Sequence, residues 1–280
     1  MVSAIARTLG LAASATESLM APLASVSPSF GQAASLEQVA HRPWPLADRP
    51  WLMAPSWEDL LFAHWPVEPS ELRRSVPNEL PIDTHDGAAW IAVTPFRVSA
   101  FRLRGLPHVP GVTSFAETNV RTYATVDDKP GIYFLSLDAA SRLAVAGARR
   151  AFRLPYFLAR MSARRMGDRV EYRSRRIAQG GRTAELDVRY RPTGPRFTAR
   201  EGSLEHFLTE RYCLYTVDQS KRLSRADIHH APWALQPAEA TFSLNTMARA
   251  AGQCLPDSQP LLHFAGRQDV LIWRLVRRGP

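Results

Sequence analysis

Phe115-Ala116-Glu117-Thr118-Asn119-Val120-Arg121-Thr122-Tyr123-Ala124-Thr125-Val126 is the stretch on which the fold turns. Alternate positions hold Ala116, Thr118, Val120, Thr122, Ala124 and Val126, all small or β-branched; between them stand Phe115, Glu117, Asn119, Arg121 and Tyr123. Side chains along a strand point alternately to its two faces, so the second set forms one row, three polar groups between two rings. A row facing bulk water has little use for those rings. A row facing the interior is partly desolvated and needs partners or a ligand. In that setting Arg121 suits a carboxylate and Asn119 a second anchor, while Glu117 is a candidate acid or base with its pKa raised by burial. A structural ion pair between Glu117 and Arg121 is the plainer account of the same residues.

Outward from this strand the signals are mostly β. Asp127-Asp128-Lys129-Pro130-Gly131 is a turn leading into Ile132-Tyr133-Phe134-Leu135-Ser136-Leu137, apolar on both faces and therefore a central strand. Upstream, Asp86-Gly87 turns into an apolar strand over residues 88–98. Ser56-Trp57-Glu58-Asp59 ahead of Leu60-Leu61-Phe62 predicts a helix with Ser56 as N-cap, ended by Pro66. Residues 69–74 predict a second short helix, and Ala-rich residues 139–152 a third that stops before Pro155. Met166-Gly167-Asp168 joins a strand around Ala159 to one over residues 170–177, which Gly180-Gly181 joins to residues 183–190. Leu204, Phe207, Leu208 and Tyr212 keep helical spacing behind Ser203 as N-cap, and Val270-Leu271-Ile272-Trp273 reads as a closing strand. Many short strands, few helices and no Pro/Gly linker predict an α+β, mainly β, fold: a closed or half-closed β-barrel core with a few short helices around it.

That single domain is expected over residues 50–280. Residues 1–49 differ in composition, rich in Ala, Ser and Leu with Arg7 the only basic residue before His41, and predict a loosely ordered N-terminal extension rather than a secretory signal. No apolar run approaches the ~20 residues of a membrane span. Cys213 and Cys254 make neither a disulfide framework nor a metal-ligand spacing, so a reduced, cytoplasmic setting is the expectation. Phosphate loops, dinucleotide fingerprints and serine elbows are missing, and the histidines show no zinc-like helical pair; no cofactor and no metal are expected. Net charge is +9, but between Arg149 and Arg200 fifteen arginines face four acids, a local net of +11. Solvated hairpin faces account for such a run, and it lacks the interleaved aromatics of a nucleic-acid platform.

Several segments together resemble the YqjF-like family of unknown function. They are Asp59-Leu60-Leu61-Phe62-Ala63-His64-Trp65-Pro66-Val67, Glu117-Thr118-Asn119-Val120-Arg121-Thr122-Tyr123, Phe134-Leu135-Ser136-Leu137-Asp138-Ala139, Leu154-Pro155-Tyr156 and the tail around Leu262-His263-Phe264. That family is similar to the acetoacetate-decarboxylase-like superfamily, which implies a β-barrel-like core around an internal pocket, a Phe/Tyr-x-Glu element and a Pro-Lys pair supplying a Schiff-base lysine. Phe115-Ala116-Glu117 suits the glutamate element, and residues 147–155 suit the approach to the lysine. The chain departs from the pattern there: Tyr156 occupies the lysine slot and Phe157 follows it. Of 35 basic residues only Lys129 and Lys221 are lysines, one in a charged turn and one in a polar stretch. A Schiff base needs a nucleophilic amine, which neither tyrosine nor phenylalanine supplies.

Three functions follow as expectations. The first is a pocket for a small carboxylate or keto compound, with Glu117 and Tyr156 as catalytic groups, Asn119, Arg121 and His64 as ligand-binding groups, and no imine chemistry. The second is a non-catalytic binding or sensing module using that pocket. The third is an interaction protein using the basic stretch. Homo-oligomerisation is left open by the sequence.

Overall fold

The computed structural model describes residues 35–106, 114–177 and 183–277. Thirteen strands form one hydrogen-bonded sheet: β1 (Met53–Val67), β2 (Ala89–Leu103), β3 (Phe115–Val126), β4 (Lys129–Ala139), β5 (Tyr156–Met166), β6 (Arg169–Arg176), β7 (Glu185–Pro192), β8 (Cys213–Val217), β9 (Leu223–His229), β10 (Leu235–Asn245), β11 (Leu261–Asp269), β12 (Leu271–Ile272) and β13 (Val276–Arg277). Four helices are described, α1 (Pro69–Leu72), α2 (Arg142–Phe152), α3 (Leu204–Thr209) and α4 (Met247–Ala250). The predicted strand Phe115–Val126 is β3 to the residue.

The sheet forks at both edges of a four-stranded stretch, β1-β2-β3-β4. At one edge Met53 of β1 pairs with β12, and residues 56–64 of β1 pair with β11. At the other, Ile132 and Tyr133 of β4 run parallel to β8, and Leu137, Asp138 and Ala139 run parallel to β5. Two closed rings result. Seven strands close as β1-β2-β3-β4-β8-β9-β12, and nine as β1-β2-β3-β4-β5-β6-β7-β10-β11. The expected closed core is thus doubled, with β1 to β4 common to both rings.

The shared strands have no wet face. Leu61, Ala63, Ile91, Val93, Ala116, Val120 and Ala124 join Tyr172, Leu186, Val188 and Tyr190 in the core on the nine-strand side. Phe62 and Phe96 belong to a cluster with Trp233 on the opposite face, and Tyr123, Ile132, Phe134 and Leu137 to one with Leu214, Ala226, Ile228 and Ile272. At ~25 cal/mol per Å² of apolar area, burying both faces supplies most of the cohesion.

The helix expected from Ser56 is instead the strand β1. Leu60, Phe62 and His64 point one way and Leu61, Ala63 and Trp65 the other, all buried, so a two-sided strand reads in sequence as one continuous apolar run. The apparent first-turn acids bond across strands: Glu58 to Arg97, Ser99 and Arg267, and Asp59 to Arg165. Asp59 has φ +51° beside a register shift between Glu58 and Ala63, a bulge that bends the strand. The other helix signals match: Ser141 caps α2 through Ala144 N–H, and Ser203 caps α3 through His206 N–H. The Met166-Gly167-Asp168 hairpin forms as expected, while Gly180-Gly181 lies outside the described residues.

Residues 35–49 lie on β9. Arg42 donates to Ile228 O at 2.8 Å and to His229 Nδ1 at 3.2 Å, His229 Nε2 donates to Ser35 O at 2.7 Å, and Arg49 pairs with Asp227 at 2.9 Å. The arginine-rich hairpins resolve into cross-strand pairs on an exposed face: Arg173–Asp187 (3.0 Å), Arg175–Glu185 (3.4 Å), Arg189–Glu171 (3.4 Å) and Arg191–Glu239 (2.6 Å). Pairs of this kind contribute about 0–1 kcal/mol each and mainly neutralise one another.

One close approach fixes how β8 docks on β4. A Cβ on Gly131 would stand 2.6 Å from Cys213 Sγ and from Tyr215 Cε2, whereas one on Gly147 in α2 meets nothing within 4 Å. Gly131→Ala is expected to destabilise by about 1–3 kcal/mol through overpacking, and Gly147→Ala to stabilise by about 0.5–1 kcal/mol through helix propensity. Denaturant midpoints of the two variants check both signs.

Candidate functional site

The polar row of β3 points away from the nine-strand core and lies buried: Glu117, Asn119 and Arg121 are 7%, 5% and 7% exposed. Register explains the neighbours. Glu117 stands opposite Phe96, Asn119 opposite Thr94 and Arg121 opposite Ala92, which in turn stands opposite His64 on β1. His64, Ala92 and Arg121 therefore form one cross-strand row, and Thr94 with Asn119 the next. On the β4 side Glu117 faces Ala139, Asn119 faces Leu137 and, after a bulge, Arg121 faces Phe134.

Tyr156 reaches the row from β5. Its backbone pairs with Leu137, and its phenol donates to Glu117, 3.2 Å from each carboxylate oxygen. Burial pushes the Glu117 carboxyl up to about 8; the Tyr156 hydrogen bond opposes that rise and the charge of Asp138 adds to it. The Tyr156 phenol is itself raised well above its usual range, by burial and then by Glu117. With its carboxyl raised to about 8, Glu117 mostly holds its proton at neutral pH, as does the Tyr156 phenol.

Arg121 has no counter-ion among the described residues. Neither Glu117 nor any other carboxylate among the described residues lies within 4 Å of its guanidinium, so the Glu117–Arg121 ion pair is not formed. The guanidinium instead lies over the rings of Phe62 (5.2 Å) and Tyr123 (5.9 Å), and its Nε is buried without a partner. His64 is fully buried, with Nε2 2.7 Å from Tyr123 Oη and Nδ1 unpartnered. Burial, then the charges of Arg121 and His263, hold its pKa well below the usual imidazole range. Thr94 Oγ1 and Asn119 Oδ1 are likewise buried without partners among the described residues. The structure thus gathers the sequence-predicted residues into two contacts and a row: Tyr156 on Glu117, His64 on Tyr123, and Asn119 and Arg121 alongside.

Sequence reading missed the surroundings of this row. Arg211, on the connection after α3, pairs with Asp83 at 2.6 Å and lies over Tyr123 (5.0 Å) and Phe207 (4.2 Å). Trp233 packs edge-on against Phe62 at 4.9 Å, and Thr94 adds a hydroxyl. These come from separate strands and loops, and no local pattern in the sequence singled them out. Neither lysine enters the row: Lys221 is on the surface near Glu79, and Lys129 begins β4 with its ammonium over Trp44. Among the described residues no group of three His, Cys, Asp or Glu side chains is arranged to hold a metal, and no helix is long and apolar enough to cross a membrane.

Comparison with known proteins matches this architecture. Residues 54–269 match the DUF2071 family of uncharacterized conserved proteins. The "Uncharacterized protein YqjF" of Bacillus subtilis (strain 168) is 52% identical over 225 residues, 80% of this chain and 92% of that protein. Among solved structures, the enduracididine biosynthesis enzyme MppR, complexed with the condensation product of pyruvate and imidazole 4-carboxaldehyde, superposes with TM-score 0.56 at 13% identity, covering 82% of this chain and 90% of that one. Acetoacetate decarboxylase from Legionella pneumophila gives TM-score 0.54 at 12% identity, with 87% and 95% covered. An acetoacetate decarboxylase-like enzyme from Sphingomonas wittichii RW1 gives 0.55 at 13%, with 85% and 97% covered. At such identities the likeness concerns the fold, which is the one expected from the sequence.

The raised Glu117 carboxyl has a thermodynamic signature. A folded-state pKa above the unfolded one gives stability that is present below the unfolded value near 4.5 and lost as pH rises through about 8. Glu117→Gln cannot titrate. Its stability relative to the wild type is expected to rise between pH 5 and pH 8 in urea titrations, and a constant difference across that window contradicts the assignment.

Proposed function

The chain belongs to the DUF2071 family, and from that premise we propose that the interior face of the seven-stranded ring binds a small carboxylate or keto compound. One observation carries the proposal: His64 Nδ1, Thr94 Oγ1, Asn119 Oδ1 and Arg121 Nε, on two adjacent cross-strand rows, are all buried without partners among the described residues. Each unsatisfied group costs about 1–3 kcal/mol, and four of them approach the whole margin of a folded domain, about 5–15 kcal/mol. A ligand bearing oxygens returns much of that cost. Arg121 decides its charge, since a buried guanidinium without a counter-ion favours an anion.

In this reading Arg121 anchors the carboxylate and Asn119 and His64 orient the rest of the molecule. Glu117 and Tyr156 present two bonded protons to one side of it. A group poised to donate at neutral pH suits protonation of a carbonyl or enolate oxygen. Tyr156 stands where the superfamily's pattern places an amine, so no imine forms and a decarboxylation routed through one is excluded from the proposal. Binding without turnover is the second reading, favoured by the hydrophobic enclosure of the row by Phe62, Phe96 and Trp233. The basic hairpins are set aside because four of their arginines are paired with acids across strands and the run lacks interleaved aromatics.

A thermal-shift panel of small carboxylates and keto acids, including pyruvate and acetoacetate, tests this directly. Carboxylates are expected to raise Tm and their neutral amides are not, with ~2.7 kcal/mol of stabilisation at a hundred times Kd. Arg121→Gln is expected to abolish the shift. Consumption of a panel member that stops in Glu117→Gln establishes an enzyme, and a shift without consumption establishes a binding module. Borohydride added with acetoacetate is expected to leave the protein mass unchanged; a reduced adduct contradicts the exclusion of imine chemistry.

A further inference from the structure

We propose that Tyr123 fixes His64 as the tautomer protonated at Nδ1, so that the row His64–Ala92–Arg121 offers two N–H donors and selects for a carboxylate or carbonyl oxygen. The inference rests on the ligand-binding reading of this interior and adds to it the polarity of one subsite.

The argument begins at the Tyr123 phenol, which is buried and flanked by two guanidiniums. Arg121 and Arg211 lie 5.9 and 5.0 Å from its ring centroid, and Arg211 is held in place by Asp83 and by the carbonyl of Phe207. Guanidinium groups only donate. The charges of both act on the phenol and favour electron density at its oxygen, so the hydroxyl turns its lone pairs toward the cations and its proton away. Within hydrogen-bond distance of the oxygen, at 2.7 Å, stands His64 Nε2. Nε2 therefore accepts and carries no proton. Buried beside Arg121 and near His263, the imidazole stays neutral, so its single proton sits on Nδ1.

Nδ1 is the His64 nitrogen without a protein partner, and Nε is the corresponding atom of Arg121. Both residues stand opposite Ala92, on either side of it and on the same face. Strand spacing puts their Cα atoms roughly 10 Å apart. Ala92 contributes only a methyl group between them, and the Phe62 ring lies alongside, 5.2 Å from the Arg121 guanidinium and 5.8 Å from the His64 ring. A proton-free oxygen placed there receives two hydrogen bonds. An ammonium placed there offers no acceptor to the two donors and leaves all of them unpaired, which is discrimination by repulsion as well as attraction. Tyr123 is a positioning residue in this scheme, acting on the ligand through His64.

The test uses the full chain labelled with 15N-histidine, with the His64 signals identified by their loss in His64→Gln or His64→Asn. The wild type is expected to show a protonated Nδ1 and an unprotonated Nε2. In Tyr123→Phe the proton is expected to move to Nε2, and pyruvate, used as the probe in calorimetry, is expected to bind roughly tenfold more weakly, the equivalent of one hydrogen bond. A proton on Nε2 in the wild type overturns the inference, and that spectrum decides it even if Tyr123→Phe does not fold. An unchanged tautomer in a folded Tyr123→Phe overturns it as well. An Nδ1–H tautomer in a protein that binds no member of the carboxylate panel overturns the ligand-binding reading while the tautomer assignment stands.

Discussion

A four-stranded sheet with no side facing water is the constraint on which the rest of this molecule depends. Because β1 to β4 belong to two rings at once, most residues along their shared length must suit one interior or the other. Alternation then divides the labour. The face with Ala116, Val120 and Ala124 packs small side chains against Tyr172, Val188 and Tyr190 and becomes core. The other face of the same strand has no solvent to offer Glu117, Asn119 and Arg121, so their polarity has to be met from within. The forked edges, β11 with β12 at one side and β5 with β8 at the other, allow the two closures to coexist.

The electrostatics of the row follow from that confinement. Glu117 answers burial by staying protonated, with the Tyr156 hydroxyl against it. His64 answers by staying neutral. Arg121 cannot discard its charge, and two aromatic faces soften its desolvation without neutralising it. One fixed cation, one neutral acid and one neutral imidazole leave this row net positive, which is the ground for proposing an anionic guest. The phenol of Tyr156 fits the same logic. An amine in its place would add another buried cation to the interior; tyrosine keeps the hydrogen bond to Glu117 without adding a charge.

Much of this was legible in the sequence because β3 states its two faces in alternate residues, and the structure reproduces that strand without a shift. The turn at Asp127 and Asp128 was equally plain: both adopt positive φ, at 50° and 54°, as short polar side chains tolerate. The N-cap Ser203 was also readable, since a cap is a local interaction. β1 was not readable. Its two buried faces erase the period on which a strand is recognised, and Ser56, Glu58 and Asp59 mimic a helix start while bonding to residues 39 to 213 positions away. The partners of the site were hidden for a related reason. Arg211 meets Tyr123 across 88 positions and Tyr156 meets Glu117 across 39, distances that no local pattern encodes.

The central claim is that Glu117 lies in a desolvated interior and holds its proton at neutral pH. Carbon-13 NMR of the side-chain carboxyl, with the signal identified by its loss in Glu117→Gln, measures this without any ligand. The structure predicts a titration midpoint close to 8. A midpoint in the ordinary glutamate range near 4.5 would contradict it, because a carboxyl that ionises so readily is not confined between two closed rings.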